Sequence, residues 1–165
     1  MKTSMTLVLI GALLITSGAI IYLLNPNKVA YGVAVGDTAI NIKFTTVDDS
    51  TFSLEDQRGK VVIVDFITTS CPFCIDEFEV LNQLESDERV RIVSVNLDET
   101  NSADLRAFAD YYGLNWDVGS SQQSGIDYKV SGVPTLLVID KDGVIRYRGY
   151  YTSLDQFNQV INQYA

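Results

Sequence analysis

Histidine is absent from all 165 residues of the chain. This absence excludes Ser-His-Asp and Cys-His catalysis, and it excludes zinc, copper or haem sites that use histidine ligands. Cysteine is scarce as well, since Cys71 and Cys74 are the two copies. Two cysteines are too few for an all-cysteine zinc site or for the disulfide framework of a small secreted domain. The sequence therefore predicts no metal site and no cofactor.

Positive charge is also in short supply, with 12 Lys and Arg against 21 Asp and Glu and a net charge of −9. Nucleic acids bind clustered Lys and Arg, so a nucleic-acid partner is not expected. The same acidic balance argues against a polybasic contact with anionic lipid. The hydrophobic content of 47% is that of an ordinary globular protein, which argues against wholesale disorder.

The N-terminal part of the chain carries a long apolar segment, and residues 3–24 include no charged side chain. A helix over this range rises about 33 Å, close to the roughly 30 Å of a bilayer core. A cleaved signal peptide is the alternative, but the apolar run continues beyond the small residues Ser17-Gly18-Ala19. We therefore predict a retained transmembrane anchor over 1–24, a linker over 25–36 and one domain over 37–165.

The orientation of this anchor depends on few charges. Lys2 and the amino terminus lie on one side, and Lys28 lies on the other. The positive-inside rule leans toward a cytoplasmic N-terminus. The sequence thus predicts a single-pass membrane protein whose domain lies on the extracytoplasmic side.

Strand and helix patterns alternate along the domain, which predicts an α/β fold with a mixed sheet. The continuous β-branched run VVIVDFI indicates a central strand that is buried on both faces. Ser153 and Gln156 form the pattern of a capping box at the start of the last helix. The predicted strands cover 40–47, 51–54, 61–67, 90–97, 135–140 and 144–151, and the predicted helices cover 71–86, 103–112 and 153 to the C-terminus.

The sequence Cys71-Pro72-Phe73-Cys74 follows the central strand directly. Cysteines three apart at a helix start share one face and can form a disulfide. Unpaired N–H groups and the helix dipole favour a thiolate at Cys71, so we predict Cys71 as the nucleophile and Cys74 as the resolving thiol. Half of a metal site shared with a partner, an inert structural disulfide and a pair of unreactive buried thiols remain alternatives.

Two segments resemble thioredoxin. VVIVDFITTSCPFC (61–74) is similar to the thioredoxin active-site strand and motif, and GVPT (132–135) is similar to the loop that holds its cis-proline. A proline directly before an apolar strand can also be an ordinary turn residue. The resemblance implies that the Val133–Pro134 bond is cis and that Pro134 faces the disulfide.

The domain resembles more closely the TlpA/ResA-type membrane-tethered thiol-disulfide oxidoreductases. The resemblance extends over the lead-in and hairpin (35–66), an insertion after the second core strand (95–116) and the final hairpin (138–151). It implies a thioredoxin fold with an N-terminal β-hairpin and a central βα insertion, preceded by one transmembrane helix. The resemblance to this family covers nearly all of residues 36–165.

The same resemblance implies roles for two acids. Glu77 falls three residues after Cys74, where this family commonly carries a glutamate, and Asp65 matches the buried aspartate of thioredoxins. A plain surface or salt-bridged acid is the alternative for each. The chain departs from the related patterns in having Ser70 for tryptophan, Phe78 for proline and Ser94 for lysine, which affects partner recognition and redox potential.

The resemblance implies an extracytoplasmic enzyme that exchanges disulfides with partner proteins. It favours a reductant supplied by a membrane thiol-disulfide electron donor, with cytochrome c maturation as a typical family role. An oxidant that installs disulfides, a peroxiredoxin-like peroxidase and a redox-silent binding module are the competing functions. No proline precedes 68–71 as peroxiredoxin-like sites usually require, and the intact cysteine pair argues against a redox-silent module.

Overall fold

The computed structural model describes residues 31–165. The predicted membrane anchor (1–24) and the first part of the predicted linker (25–36) lie outside these residues. Within the described part of the chain, no helix is long and apolar enough to cross a membrane.

A five-stranded mixed sheet forms the centre of the domain, with strand order β7-β6-β5-β8-β9. The strand pairs β5–β6 and β6–β7 are parallel, whereas β5–β8 and β8–β9 are antiparallel. This arrangement confirms the predicted thioredoxin fold. The strands, numbered in chain order, are β5 (Val61–Ile67), β6 (Val90–Asn96), β7 (Asp117–Ser120), β8 (Thr135–Ile139) and β9 (Ile145–Gly149).

Strand β5 is the middle of the sheet, and all seven of its residues are buried. Its side chains alternate between two hydrophobic clusters, because successive residues of a strand point to opposite faces. Val61, Ile63 and Ile67 belong to the cluster that also contains Cys71 and Cys74. Val62, Val64 and Phe66 belong to the second cluster. Burial of both faces explains why every residue of β5 except Asp65 is apolar.

Within residues 31–165, four helices flank the sheet: α1 (Pro72–Leu84), α2 (Ser102–Tyr112), α3 (Gln122–Asp127) and α4 (Leu154–Tyr164). Helix α4 packs Phe157 and Ile161 into the cluster that contains the cysteines. The Ser153–Gln156 capping box is present, so that prediction is confirmed. The predicted helices agree with α1, α2 and α4 to within two residues at most ends, whereas β7 and α3 were not predicted.

The segment before β5 covers both edges of the sheet. It contains β1 (Tyr31–Gly32), β2 (Thr38–Ala39), the antiparallel hairpin of β3 (Lys43–Thr45) and β4 (Thr51–Ser53), and a 3-10 helix (Leu54–Gln57). The hairpin is shorter than predicted.

One edge of the sheet is covered by the residues that follow β3, since the Val47 amide donates to the Val118 carbonyl of β7 at 2.8 Å. The start of the other edge strand, β9, is covered by the lead-in. The Gly36 amide donates to the Ile145 carbonyl at 2.8 Å, and the Ile145 amide donates to the Asp37 carbonyl at 2.9 Å. The lead-in and hairpin therefore pair backbone groups of Val118 and Ile145 that would otherwise be open at the two edges.

Candidate active site

The two cysteines lie at the N-terminus of α1. Cys71 is the N-cap residue and Pro72 occupies the first turn, where its missing N–H leaves no hydrogen bond unmade. The cysteines are joined by a disulfide, with their Cα atoms 5.4 Å apart. The Cys74 amide donates to the Cys71 sulfur at 3.1 Å. Cys71 is 8% exposed and Cys74 is fully buried, so the first cysteine is the more accessible one.

The loop between β5 and α1 is fixed by an acid that follows the neighbouring strand. The Thr69 amide and hydroxyl both donate to Asp98 Oδ2, at 2.9 and 3.1 Å. The Leu97 amide donates to the Ile67 carbonyl at 2.9 Å. The cysteine loop therefore has little freedom on the side facing β6. Between the cysteines, Phe73 is 70% exposed.

The proline loop lies at the same end of the sheet as the cysteines. The Val133–Pro134 bond is cis, as expected from the sequence. Thr135 pairs with Phe66, and because β8 runs antiparallel to β5, the start of β8 lies beside the end of β5 that leads to Cys71. Val133 packs against the hydrophobic cluster that contains both cysteines. The two motifs, distant in sequence, therefore lie at the same end of the sheet.

Asp65 is an acid in the middle of β5 with no exposed surface. Its place in the strand alternation directs it to the face that α1 covers, the face of Ile63 and Ile67. Its Oδ2 accepts a hydrogen bond from the Ser94 hydroxyl at 3.3 Å. Burial, helped by the negative charge of Glu77, raises the pKa of Asp65 well above its ordinary value, and the Ser94 hydrogen bond opposes this rise.

Glu77 is the second buried acid, one turn after Cys74 on α1. Its Oε2 accepts a hydrogen bond from the Thr152 amide at 3.0 Å. Burial raises the pKa of Glu77 from the ordinary 4.5 to about 7, although the Thr152 hydrogen bond works in the opposite direction. A carboxyl with such a pKa can take up or release a proton near neutral pH.

The two acids share a further property. Among residues 31–165, the buried side-chain oxygens without a hydrogen-bond partner are Asp65 Oδ1 and Glu77 Oε1. Neither acid forms an ion pair with a described residue. The interpretation of both as surface or salt-bridged acids is therefore wrong. Acids whose ionisations depend on each other titrate as a pair.

Two residues that contact these acids or their partners were not predicted. Thr152 holds Glu77 through its amide, and Trp116 donates from Nε1 to the Ser94 hydroxyl at 2.9 Å. Trp116 is the single tryptophan of the chain, and this rarity is the one sequence feature that could have indicated its role. The sequence could not indicate the role of Thr152, because any residue other than proline supplies the same backbone amide at that position.

The fold, the cysteine pair at the start of α1 and the cis-proline loop at the same end of the sheet define a thioredoxin-fold thiol-disulfide oxidoreductase. The AhpC/TSA family model matches residues 35–148, and the chain belongs to this family.

Similar proteins agree with this class. The chain is 32% identical over 152 residues to the thiol-disulfide oxidoreductase ResA of Bacillus thuringiensis (strain Al Hakam), an alignment covering 88% of the chain and 87% of that relative. It is 30% identical over 125 residues to the thioredoxin-like protein YneN of Bacillus subtilis (strain 168), covering 73% and 74%.

Among solved structures, a putative thiol:disulfide interchange protein DsbE from Chlorobium tepidum superimposes with a TM-score of 0.71. Its sequence identity is 25%, and the match covers 80% of this chain and 98% of that one. The resemblance to ResA-type proteins is therefore confirmed, and so is the predicted enzyme class.

Proposed function

We propose that this chain is a membrane-anchored, extracytoplasmic reductant of protein disulfides that acts through Cys71 and Cys74. A membrane thiol-disulfide donor would return the pair to its reduced form after each turnover. Proteins with an oxidised Cys-x-x-Cys-His haem-attachment motif are the proposed substrate class, following the cytochrome c maturation role that the family resemblance implies.

The observation that carries the direction of electron flow is the buried acid pair, Asp65 and Glu77, on the face of the sheet that holds the cysteines. A dithiol protein is a strong oxidant when its thiolate is stabilised, because this stabilises the reduced form. Negative charge in a buried site does the opposite, since it raises the pKa of a nearby thiol. The acids therefore favour release of electrons from the reduced pair.

The proposed reaction proceeds in two exchanges. The Cys71 thiolate attacks one sulfur of the substrate disulfide, forming a mixed disulfide and releasing the other substrate sulfur as a thiolate. Cys74 then loses its proton to a buried carboxylate and attacks Cys71. The mixed disulfide breaks, and the second substrate sulfur leaves. The substrate gains two electrons and becomes a dithiol, while the enzyme becomes the disulfide.

Proton removal from Cys74 requires a base, because Cys74 is fully buried and burial raises the pKa of a thiol. Glu77 lies one turn further along the same helix, and its pKa of about 7 makes part of it carboxylate at neutral pH. Asp65 of strand β5 is the second possible acceptor of the Cys74 proton. These two acids are the groups to which we assign the proton transfer.

Thiol trapping in growing cells tests the direction of electron flow. We expect a mostly reduced Cys71–Cys74 pair, which becomes oxidised when the membrane donor is deleted. A pair that stays fully oxidised in wild-type cells would show that the protein is the disulfide-forming oxidant. Equilibration of the purified chain with glutathione buffers gives a second measurement, and replacement of both acids by amides should raise the reduction potential.

The apolar segment 3–24 supports the anchoring and the extracytoplasmic location. We expect the full-length protein in the membrane fraction after carbonate extraction, and we expect added protease to degrade the domain in intact spheroplasts. Recovery in the carbonate supernatant, or an N-terminus beyond residue 24, would contradict the anchor. Degradation only after lysis would contradict the location.

Two simple assays distinguish a reductase from a redox-silent binding module and from a peroxidase. Reduction of insulin disulfides excludes the binding module, and Cys71→Ser is the matched inactive control. Consumption of hydrogen peroxide at a rate above that of Cys71→Ser would favour the peroxidase. We expect insulin reduction without peroxide consumption.

A further inference from the structure

A buried chain of hydrogen bonds connects Trp116 to Asp65 through Ser94. Trp116 Nε1 lies 2.9 Å from the Ser94 hydroxyl oxygen, which in turn lies 3.3 Å from Asp65 Oδ2. Asp65 and Ser94 have no exposed surface, and Trp116 is 8% exposed. The three residues come from the central strand β5, from the adjacent β6 and from the residue before β7.

The direction of both hydrogen bonds follows from the chemistry of the groups. An indole N–H is a donor with no acceptor capacity, so the Ser94 oxygen accepts from Trp116. The single hydroxyl proton of Ser94 is then free to point toward Asp65 Oδ2, where it finds an acceptor. A hydroxyl that accepts a hydrogen bond becomes a better donor, because bonds in a chain polarise one another.

We propose that Ser94 and Trp116 are positioning residues that hold Asp65 in the carboxylate form, ready to accept the Cys74 proton. This inference rests on the proposed role of the buried acids in disulfide exchange. The distance of 3.3 Å is long for a hydroxyl donor, and we expect the bond to shorten when Asp65 ionises. The opposition of this hydrogen bond to the raised pKa of Asp65 is consistent with that role.

Three elements of the domain place groups around Asp65. Helix α1 contributes Glu77, whose negative charge opposes ionisation of Asp65. The neighbouring strands place Ser94 of β6 and Leu136 of β8 opposite Asp65, and neither carries a charge. Ser94, supported by Trp116, is thus the side chain that favours the carboxylate against burial and Glu77.

The direct test is a titration of the Asp65 carboxyl in the full chain, in its oxidised form. Carbon-13 NMR of labelled aspartate gives the midpoint, and a Glu77→Gln background leaves one of the two buried acids to titrate. We expect Ser94→Ala to move the midpoint upward by roughly one pH unit, and Trp116→Phe to move it upward by a smaller amount. Phe108→Leu, which alters an aromatic contact with Phe78 instead, should leave the midpoint unchanged.

A second readout uses the single tryptophan. In the same background, the emission of Trp116 should titrate with the Asp65 midpoint, and Asp65→Asn or Ser94→Ala should abolish or weaken this transition. In the wild-type background, Ser94→Ala and Trp116→Phe should shift the pH dependence of mixed-disulfide resolution to higher pH. The first attack by Cys71 should keep its pH dependence.

The outcomes separate this inference from the proposed function. Unchanged Asp65 midpoints in folded Ser94→Ala and Trp116→Phe proteins would overturn the inference, even if the wild type reduces insulin normally. A wild type that does not reduce insulin would overturn the proposed function, whether or not the midpoints move. If Trp116→Phe does not fold, Ser94→Ala alone decides the inference.

Discussion

Asp65 and Glu77 come from different elements, a central strand and the helix that follows it, yet the negative charge of Glu77 raises the pKa of Asp65. Each also has one carboxylate oxygen without a hydrogen-bond partner. Two buried acids so arranged do not ionise independently. Ionisation of one acid therefore opposes ionisation of the other.

We predict that Asp65→Asn and Glu77→Gln each slow resolution of the mixed disulfide about tenfold at pH 7, a modest part of what acid–base catalysis can supply. The rate should fall as pH decreases through about 7 in the wild type, because the Glu77 carboxylate is then lost. If the acids share one role, the double variant should slow resolution by less than the product of the two single effects. Stopped-flow measurement of substrate release checks this, and unchanged pH profiles in both single variants would mean that the acids are structural.

The stability of the oxidised protein should also depend on Glu77. Its pKa is raised from 4.5 to about 7 in the folded state, so between these values the folded state binds the proton more strongly than the unfolded state. Stability is thus lost as pH rises through this window. When the pH is raised from 5 to 8, the free energy of unfolding of the wild type should fall by roughly 2 kcal/mol relative to that of Glu77→Gln, a value discounted for solvent screening.

Urea denaturation at both pH values measures this difference. The matched control is Glu79→Gln, an exposed acid on the same helix, for which the difference should be close to zero. A wild type and a Glu77→Gln variant that respond equally to pH would contradict the raised pKa of Glu77.

The two cysteines should behave differently when replaced. Cys71 is the more exposed cysteine and accepts the Cys74 amide hydrogen bond at its sulfur, so it should attack first. We expect Cys74→Ser to accumulate mixed disulfides with substrate proteins, and Cys71→Ser to accumulate few or none. Non-reducing gels of alkylated cell extracts show the difference, and the reverse pattern would exchange the two roles.

The cap of α4 offers a prediction on stability. The Ser153 hydroxyl accepts from the Gln156 amide, and the Gln156 side chain accepts from the Ser153 amide at 3.1 Å. We expect Ser153→Ala to destabilise the domain by about 1 kcal/mol, and Ser153→Thr to retain most of the stability because threonine also caps helices. Equal losses in the two variants, measured by chemical denaturation, would show that the cap is not the cause.

The parts of the fold that the sequence predicts are those with a local signal. The mostly apolar run of β5, the turn before β9 and the capping box of α4 each depend on residues that are close together in the sequence. Strand β7 has four residues including a glycine, and α3 has six residues, so neither has enough length for a periodic pattern. These elements form because the sheet and the core around them provide partners.

The candidate site likewise contains residues that a sequence motif predicts and residues that it does not. The cysteine pair and the proline loop have recognisable motifs, and the family resemblance extends the prediction to Asp65 and Glu77. The contact between Thr152 and Glu77 joins residues 75 positions apart, and it involves a backbone amide. No residue pattern encodes such a contact, because it depends on the meeting of α1 with the loop after β9.

The N-terminal segment that covers the sheet has a consequence for shortened forms of the protein. A chain starting at β5 would keep all five strands of the central sheet, yet it would lose the amides and carbonyls that Val47, Gly36 and Asp37 supply to β7 and β9. Open strand edges of this kind pair with other molecules and lead to aggregation. The lead-in and hairpin thus protect the edges of the sheet against self-association.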